Sequence, residues 1–450
     1  MKKINIIAKL KSSYIRLIAV GFLCLILIGT FLLSLPIATR SGQGMKWIDT
    51  LFTATSATCV TGLVVADTYT NWSLFGQLVI IGLIQIGGLG FITIGVYIAV
   101  LLKKKIGLWE REAIHESVST MQSAGSVKLT KKIIQGTLFL EGAAAILLSC
   151  KFIPVLGVAE GIYYGIFHAV SGFCNAGFDL MGRWEPYSSL CLFKGDILVN
   201  VVIMGLITIG GLGFIVWDDL LRNKWHWKKY MLHTKMVLTI TSILILGSAV
   251  LFYLLERGNV LAGLSGKEKV LCSFFAAVTP RTAGFNTVDL AAMTDGSKLL
   301  TTVLMFIGGS PGSTAGGIKT TTMAVMLLSA IAMIRSSHGT NVFGRRLEPE
   351  TVHKASTVFF INLTLAISAV FIILSIQPLE FMDVCMEVFS AIGTVGMSTG
   401  ITRELNDLSK LIIILLMYCG RLGSLSFVLV FAQKKKVPPI LNPQEKMLVG

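Results

Sequence analysis

Apolar positions along the chain come in long blocks. Residues 17–39, 68–102, 197–217, 236–255, 299–318 and 355–379 contain no Asp, Glu, Lys or Arg. About 20 such residues cross a bilayer core as a helix, so each block predicts at least one membrane span. The block from Leu17 outruns the roughly 7–15 residues of a signal-peptide core and lacks a small-residue cleavage pattern, so it reads as the first span. Between the long blocks lie apolar segments of about a dozen residues, too short to cross. They are expected to enter the membrane and return.

Each short segment runs into a glycine signature, and the four signatures align: LFTATSATCVTGL (51–63), IFHAVSGFCNAGF (166–178), FFAAVTPRTAGF (274–285) and VFSAIGTVGMS (388–398). Their glycines, Gly62, Gly177, Gly284 and Gly396, are 115, 107 and 112 residues apart, which divides the chain into four units of similar length. The order within a unit is long span, short segment, glycine signature, second span. Non-helical backbone at membrane depth is tolerated only when buried in protein or lining a water-filled cavity. Four such loops around one axis satisfy that condition together, with carbonyl oxygens facing inward. A ring of carbonyls suits a cation that has shed its hydration shell. Glycine at the matching place permits the positive φ such a turn needs. Small residues at helix contacts could explain one segment, but not four in register. The predicted fold is all-α, with eight transmembrane helices and four re-entrant pore helices around one pore. The expected units are a cytoplasmic N-terminus (1–16), pore units over 17–105, 106–222, 223–338 and 339–433, and a cytoplasmic tail (434–450).

Charge sharpens the topology. Only 14% of residues are charged and the net charge is +15. Of the 39 Lys and Arg, 25 fall in 1–16, 103–133, 222–235, 335–354 and 433–450. This is the positive-inside pattern, with both termini cytoplasmic. It accounts for the basic excess through orientation and contact with membrane lipid, and calls for no nucleic acid. The eight cysteines form no Cys-x-x-Cys pair and read as small packing residues.

The order span, pore segment, span, with TCVTGL, NAGF, TPRTAGF and GTVGMSTGIT, resembles the Trk/Ktr/HKT superfamily of potassium transporters, most closely its Ktr-type membrane subunit. The resemblance covers about Leu17 to Gln433. It implies a K+ selectivity filter formed by Cys59, Val60, Thr61 and Gly62; Cys174, Asn175, Ala176 and Gly177; Arg281, Thr282, Ala283 and Gly284; and Gly393, Thr394, Val395 and Gly396. It implies two pores per homodimer and a separate cytosolic ring of nucleotide-binding subunits on the basic inner face, so that nucleotide acts only through a partner. No cofactor is expected in this chain itself, and the only metal is the monovalent cation in the filter, K+, with Na+ open as a transported or coupling ion. In plant relatives a serine in place of the first filter glycine accompanies Na+ transport; all four positions here are glycine. The charged Arg281 beside the third turn makes the filter asymmetric and is expected to weaken the preference for K+.

The second spans share QIGGLGF (85–91), TIGGLGF (208–214), FIGGSPG (306–312) and YCGRLGS (418–424). Outside the third unit the copies are expected to continue as helix. The third opens GGSPGSTAGGIKT, where Pro311 and five glycines break the span. The candidate gate is Gly308, Gly309, Ser310, Pro311, Gly312, Ser313, Thr314, Ala315, Gly316, Gly317, Ile318 and Lys319, a mobile loop with Ser310, Ser313, Thr314 and Lys319 reaching the aqueous path. In the fourth copy Arg421 puts a cation inside the membrane, where charge is costly and usually functional. The resemblance sets it at the constriction, against this loop. Ile318 separates Gly317 from Lys319, so the stretch is no phosphate-binding loop. Glu141 is expected to pair with a basic group or backbone, His168 to be a satisfied core histidine, and Asp67, Asp179, Asp289 and the acidic residues at 404–407 to face the outer side. No catalytic set is present, so an enzyme is not expected. The competing readings are a Na+-conducting or poorly selective transporter of the same architecture and a coupled secondary transporter with inverted repeats.

Overall fold

The structure, a computed structural model, describes residues 2–102, 126–224, 226–337 and 339–431, with 443, 445 and 447. The expected boundary at 105/106, most of the basic segment 103–133 and nearly all of the tail 434–450 lie outside the described residues. So do the side chains of residues 1–15.

The chain repeats one order four times. Unit one comprises α1 (Lys2–Ser34), α2 (Trp47–Thr58), the one-turn α3 (Thr68–Asn71), α4 (Leu74–Leu89) and α5 (Phe91–Leu101). Unit two is α6 (Ser126–Leu156), α7 (Val158–Cys174), α8 (Ile197–Leu212) and α9 (Phe214–Asn223). Unit three is α10 (Leu232–Glu256), α11 (Gly266–Val278), α12 (Asp295–Phe306) and α13 (Thr320–Ile334). A hairpin, β1 (Asn341–Val342) and β2 (Arg345–Arg346), precedes α14 (Pro349–Ile376), α15 (Phe381–Gly393), α16 (Asp407–Leu422) and α17 (Ser424–Phe431). Helix α1 passes unbroken through residue 16, so no structural boundary separates the expected N-terminal segment from the first span. Among the described residues four helices are long and apolar enough to cross a membrane, or six if the two sharply bent pairs each count as one span. The protein is an all-α, multi-pass membrane protein.

The expectation that the copies outside the third unit continue as helix is wrong. Helix α4 turns into α5 through 89°, and α8 into α9 through 95°. The hinges are Gly90 (φ +82) and Gly213 (φ +95), with Gly423 (φ +83) in the same place between α16 and α17. A third glycine after the Gly-Gly pair takes a backbone conformation closed to L side chains and ends the helix there. The adjacent glycines serve close packing. A Cβ on Gly87, Gly210 or Gly420 would overlap the carbonyl oxygen of Thr58, Phe173 or Ile392 respectively, at the end of that unit's own short helix. Each broken span is therefore wedged beneath the helix that precedes it.

A capping pattern missed in the sequence marks where four of these helices begin. Ser73, Asp196, Thr294 and Asn406 each accept a backbone N–H from the first turn of α4, α8, α12 and α16, the usual N-cap arrangement. Ion pairs then fasten neighbouring units. Lys298 meets Asp383 at 3.4 Å between units three and four, and Lys410 meets Asp49 at 2.7 Å between units four and one. That second pair, like the packing of α16 on α2, joins the two ends of the chain and closes a ring.

Candidate functional site

The short helices α2, α7, α11 and α15 end in turns of matching backbone shape. Val60 (φ +57), Asn175 (φ +59), Thr282 (φ +71) and Thr394 (φ +52) are left-handed, and so, two residues later, are Gly62 (φ +94), Gly177 (φ +69), Gly284 (φ +80) and Gly396 (φ +93). Non-glycine residues rarely take positive φ and do so mostly where surrounding structure holds them. Here a hydroxyl residue near the end of each helix does the holding. The backbone N–H groups of Thr61, Ala176, Ala283 and Val395 donate to the carbonyls of Ser56, Ser171, Thr279 and Ser390 at 2.8–2.9 Å. The Ser56 and Ser390 hydroxyls accept from Gly62 and Gly396 N–H. Those of Ser171 and Thr279 instead donate to the Phe178 and Phe285 carbonyls. A hydroxyl five or six residues before each glycine is the sequence signal that motif alignment by glycine overlooked.

The four glycines converge. A Cβ on Gly62 would lie 2.5 Å from the Ala176 oxygen, one on Gly177 2.8 Å from the Ala283 oxygen, and one on Gly284 2.5 Å from the Val395 oxygen. One on Gly396 would overlap the Thr61 oxygen. The contacts run from unit one to two, two to three, three to four and four back to one. Above this ring a cavity of about 170 Å³ is lined by the glycines and by Asp67, Asp179, Asp289, Tyr187 and Arg403. Burial, aided by the Asp67 carboxylate, pushes the Asp179 carboxyl up to about 7 despite a hydrogen bond from Met181 N–H.

The units are not equivalent. Arg281 opens the third turn with its guanidinium buried beside Gly211 and, among the described residues, without a hydrogen-bond partner. Its carbonyl accepts from Asn175 Nδ2 at 3.2 Å, and the same amide reaches Thr282 Oγ1. Below the ring, on the side where the short helices end, the chain opens between α12 and α13. Its glycines press against the turns: a Cβ on Gly317 would lie 2.8 Å from the Gly393 oxygen, and one on Gly316 would overlap Thr394.

Hydrogen bonds hold this stretch in the conformation seen. Ser310 and Thr314 N–H donate to the Gly211 and Gly210 carbonyls, Gly317 N–H to Gly420, and Phe214 N–H to Gly312. Ser310 and Thr320 hydroxyls bond each other at 3.1 Å, Thr314 Oγ1 donates to the Phe173 carbonyl, and Ser313 Oγ to that of Ser310. Lys319 Nζ folds back onto the Ala315 and Gly316 carbonyls at 2.7 and 3.2 Å. Arg421 is the cross-brace. It donates to the Thr314 carbonyl of the loop and to the Gly87 and Gly88 carbonyls of unit one. Among the described residues Glu141 pairs with neither a basic group nor backbone: it accepts from Gln85 Nε2 at 3.1 Å and lies against the Cys174 thiol. A polar cluster shared by α4, α6 and α7 replaces the ion pair. His168 is a satisfied core histidine, with Nδ1 on the Tyr164 carbonyl and Nε2 accepting from Leu180 N–H.

Residues 8–438 match the TrkH family, described as cation transport protein. The "Potassium/sodium uptake protein NtpJ" of Enterococcus hirae is 41% identical over 445 residues, covering 97% of each chain. The "Ktr system potassium uptake protein B" of Bacillus subtilis is 41% identical over 452 residues, covering all of both chains. The crystal structure of the potassium transporter TrkH from Vibrio parahaemolyticus superposes with a TM-score of 0.71 over 92% of this chain and 84% of that one, at 19% identity. That likeness bears on the fold.

Proposed function

The chain belongs to the TrkH family of cation transport proteins, as a Trk/Ktr-type membrane subunit, and we propose that it takes K+ into the cell through a filter formed by the four glycine turns. The observation that carries this reading is the closed ring of Gly62, Gly177, Gly284 and Gly396, to which each unit contributes one carbonyl-bearing strand. Left-handed residues at alternate positions turn carbonyls to one side of a strand, and four such strands offer oxygens in place of water around a dehydrated cation. The short helices end at the same place, adding the negative ends of their dipoles. In this reading each unit crosses the membrane twice, giving eight spans with both termini in the cytoplasm, and the cavity over the ring faces outward.

Residues 308–320 form the gate. Lying under the turns and braced by Arg421, they bar the exit from the filter, and a fixed positive charge there raises the barrier to a cation. Three charge-assisted hydrogen bonds hold this closed form, so opening requires a partner that compensates their loss. A homodimer and a cytosolic nucleotide-binding ring supply that control. The name of the Bacillus subtilis relative, part of a Ktr system, supports a multi-component assembly.

Complementation of a bacterium lacking potassium uptake tests the filter, with Gly62→Ser alongside. Growth on low K+ is expected for the native chain, and loss of K+ preference for the variant. Equal preference in both sinks the filter assignment. A second reading, joint K+ and Na+ uptake, is favoured by the name of the Enterococcus hirae relative. Competition by Na+ as effective as that by K+ against rubidium uptake decides for it.

A further inference from the structure

The cavity above the glycine ring carries a feature the transport scheme does not use. Residues 184–190 cross its edge, and the other three units hold them. Tyr187 N–H donates to Asp67 Oδ2 of unit one at 3.1 Å. Leu190 N–H donates to the Asn286 carbonyl of unit three at 2.9 Å, while Ser189 Oγ accepts from Asn286 N–H. From unit four, the Arg403 guanidinium lies over the Tyr187 ring, 4.3 Å from its centroid, with Nε donating to the Gly400 carbonyl at 3.2 Å. Tyr187 (φ +64) and Ser189 (φ +46) are both left-handed. Such conformations persist when the surroundings impose them.

Arg403 is thus a positive charge fixed at the entrance of a cation path. Its acidic neighbours bond to backbone N–H groups. Asp67 is taken up by the N–H groups of Tyr69, Thr70 and Tyr187, Asp179 by Met181, and Asp289 by Ala291. Among the described residues no ion pair involves Arg403. Stacking on the ring instead keeps the charge in place, as a guanidinium over an aromatic face does.

We propose that Arg403, latched on Tyr187, is an electrostatic brake that sets the apparent affinity for external K+ by lowering the cation concentration at the filter mouth. The carboxylates draw cations in and the guanidinium offsets part of that attraction. The side chain is exposed, so its field is screened by salt, with a Debye length of about 10 Å at 0.1 M. Its removal is expected to lower the KM for K+ about two- to fivefold at low ionic strength. The maximal rate stays unchanged, because the gate and the filter are untouched.

The proposal rests on the reading of the glycine ring as the ion path, with this cavity outside. The test is uptake of radioactive rubidium by the full-length protein in cells lacking other K+ uptake, with ionic strength varied by N-methylglucamine chloride. Arg403→Gln is expected to lower KM at low ionic strength, with the difference vanishing at high ionic strength, and Arg403→Lys to keep the native value. An unchanged or raised KM in Arg403→Gln overturns the brake. So does a Lys variant that behaves like the Gln variant, since the effect then belongs to the stacking and not to the charge. Arg403→Cys, treated from outside with a cationic or an anionic thiosulfonate, guards against a folding defect: within one preparation the cationic adduct must give the higher KM. Equal values overturn the proposal, with the treated native chain controlling for Cys191. Gly62→Ser in the same assay separates the two failures. Lost K+ preference there with no KM change at Arg403 removes only the brake.

Discussion

Placing a methyl group at each ring glycine in turn gives a graded test of the filter. At Gly62 and Gly284 the new carbon would stand 2.5 Å from the next unit's oxygen, at Gly177 2.8 Å, and at Gly396 closer than any of these. An ordinary contact to a Cβ is 3.4 Å or longer, so the facing strand must retreat by roughly 0.6–1.1 Å, least at Gly177. Backbone strain points the same way. Gly62, Gly284 and Gly396 have φ of +94, +80 and +93, beyond the left-handed well, whereas Gly177 at +69 is nearer to it. The strain is about 1–3 kcal/mol for alanine at the outer three. Because the oxygen displaced belongs to the neighbouring strand, the damage falls on cation coordination as well as on folding. Loss of about 1.4 kcal/mol of coordination free energy is a tenfold loss of preference. Rubidium uptake under K+ or Na+ competition is therefore expected to show about a tenfold or greater fall in K+ preference for Gly62→Ala, Gly284→Ala and Gly396→Ala, and a smaller one for Gly177→Ala. Four variants with the native preference, or Gly177→Ala as the worst of them, would refute the ring as the selective element.

Other perturbations follow from the same geometry. Arg421→Met removes the bonds to Thr314, Gly87 and Gly88, each charge-assisted and worth about 1.5–3 kcal/mol. Flux should rise at least about tenfold, and deletion of 310–318 should act likewise, both measured as rubidium uptake by this chain expressed alone; unchanged flux counts against the gate. Acid should weaken K+ entry. Asp179, pushed up to about 7 by burial with Asp67 adding to the effect, is charged above that pH and neutral below it. Apparent KM should then rise as external pH falls from about 8 to 6, and Asp179→Asn should abolish the dependence. The linkage has the matching sign: a carboxyl whose folded pKa is raised stabilises the fold at low pH, and that stability is lost as pH rises from the unfolded value of about 4 towards 7. Finally, Asp49→Asn leaves Lys410 without its partner across the closure between units four and one. A loss of roughly 1–3 kcal/mol, seen as a lower Tm in detergent, should be recovered in part by Asp49→Leu with Lys410→Met, since removing both charges spares an unpaired ion.

Much of the site was legible because it depends on short-range chemistry repeated four times. Glycine at 62, 177, 284 and 396 announced turns with positive φ, and the break at 308–320 followed from proline and glycine within an apolar run. The left-handed Val60, Asn175, Thr282 and Thr394 gave no comparable signal. Their conformation is imposed by the hydroxyl residues behind them and by the neighbouring strands. Sequence reasoning also misjudged Gly90 and Gly213, where a single glycine bends a span by about a right angle. In a helix a lone glycine costs only about 1 kcal/mol, and whether it bends is decided by what packs there. Here the Gly87 and Gly210 contacts seat each bent helix under the short helix of its own unit.

Taken alone, then, the sequence determined that this chain is an all-α membrane protein of four like units, each with a glycine turn, and that the third unit is interrupted. Hydropathy, proline and glycine act over a few residues and need no partner to have their effect. Only the tertiary structure decided that the four glycines close a ring, that Arg421 braces units one, three and four, that Glu141 settles on Gln85 and Cys174, and that Arg403 rests on Tyr187. Those relations join residues about 30 to more than 300 positions apart, as Arg421 joins Gly87 and Lys410 joins Asp49. They come into being when packing brings the four units around one axis.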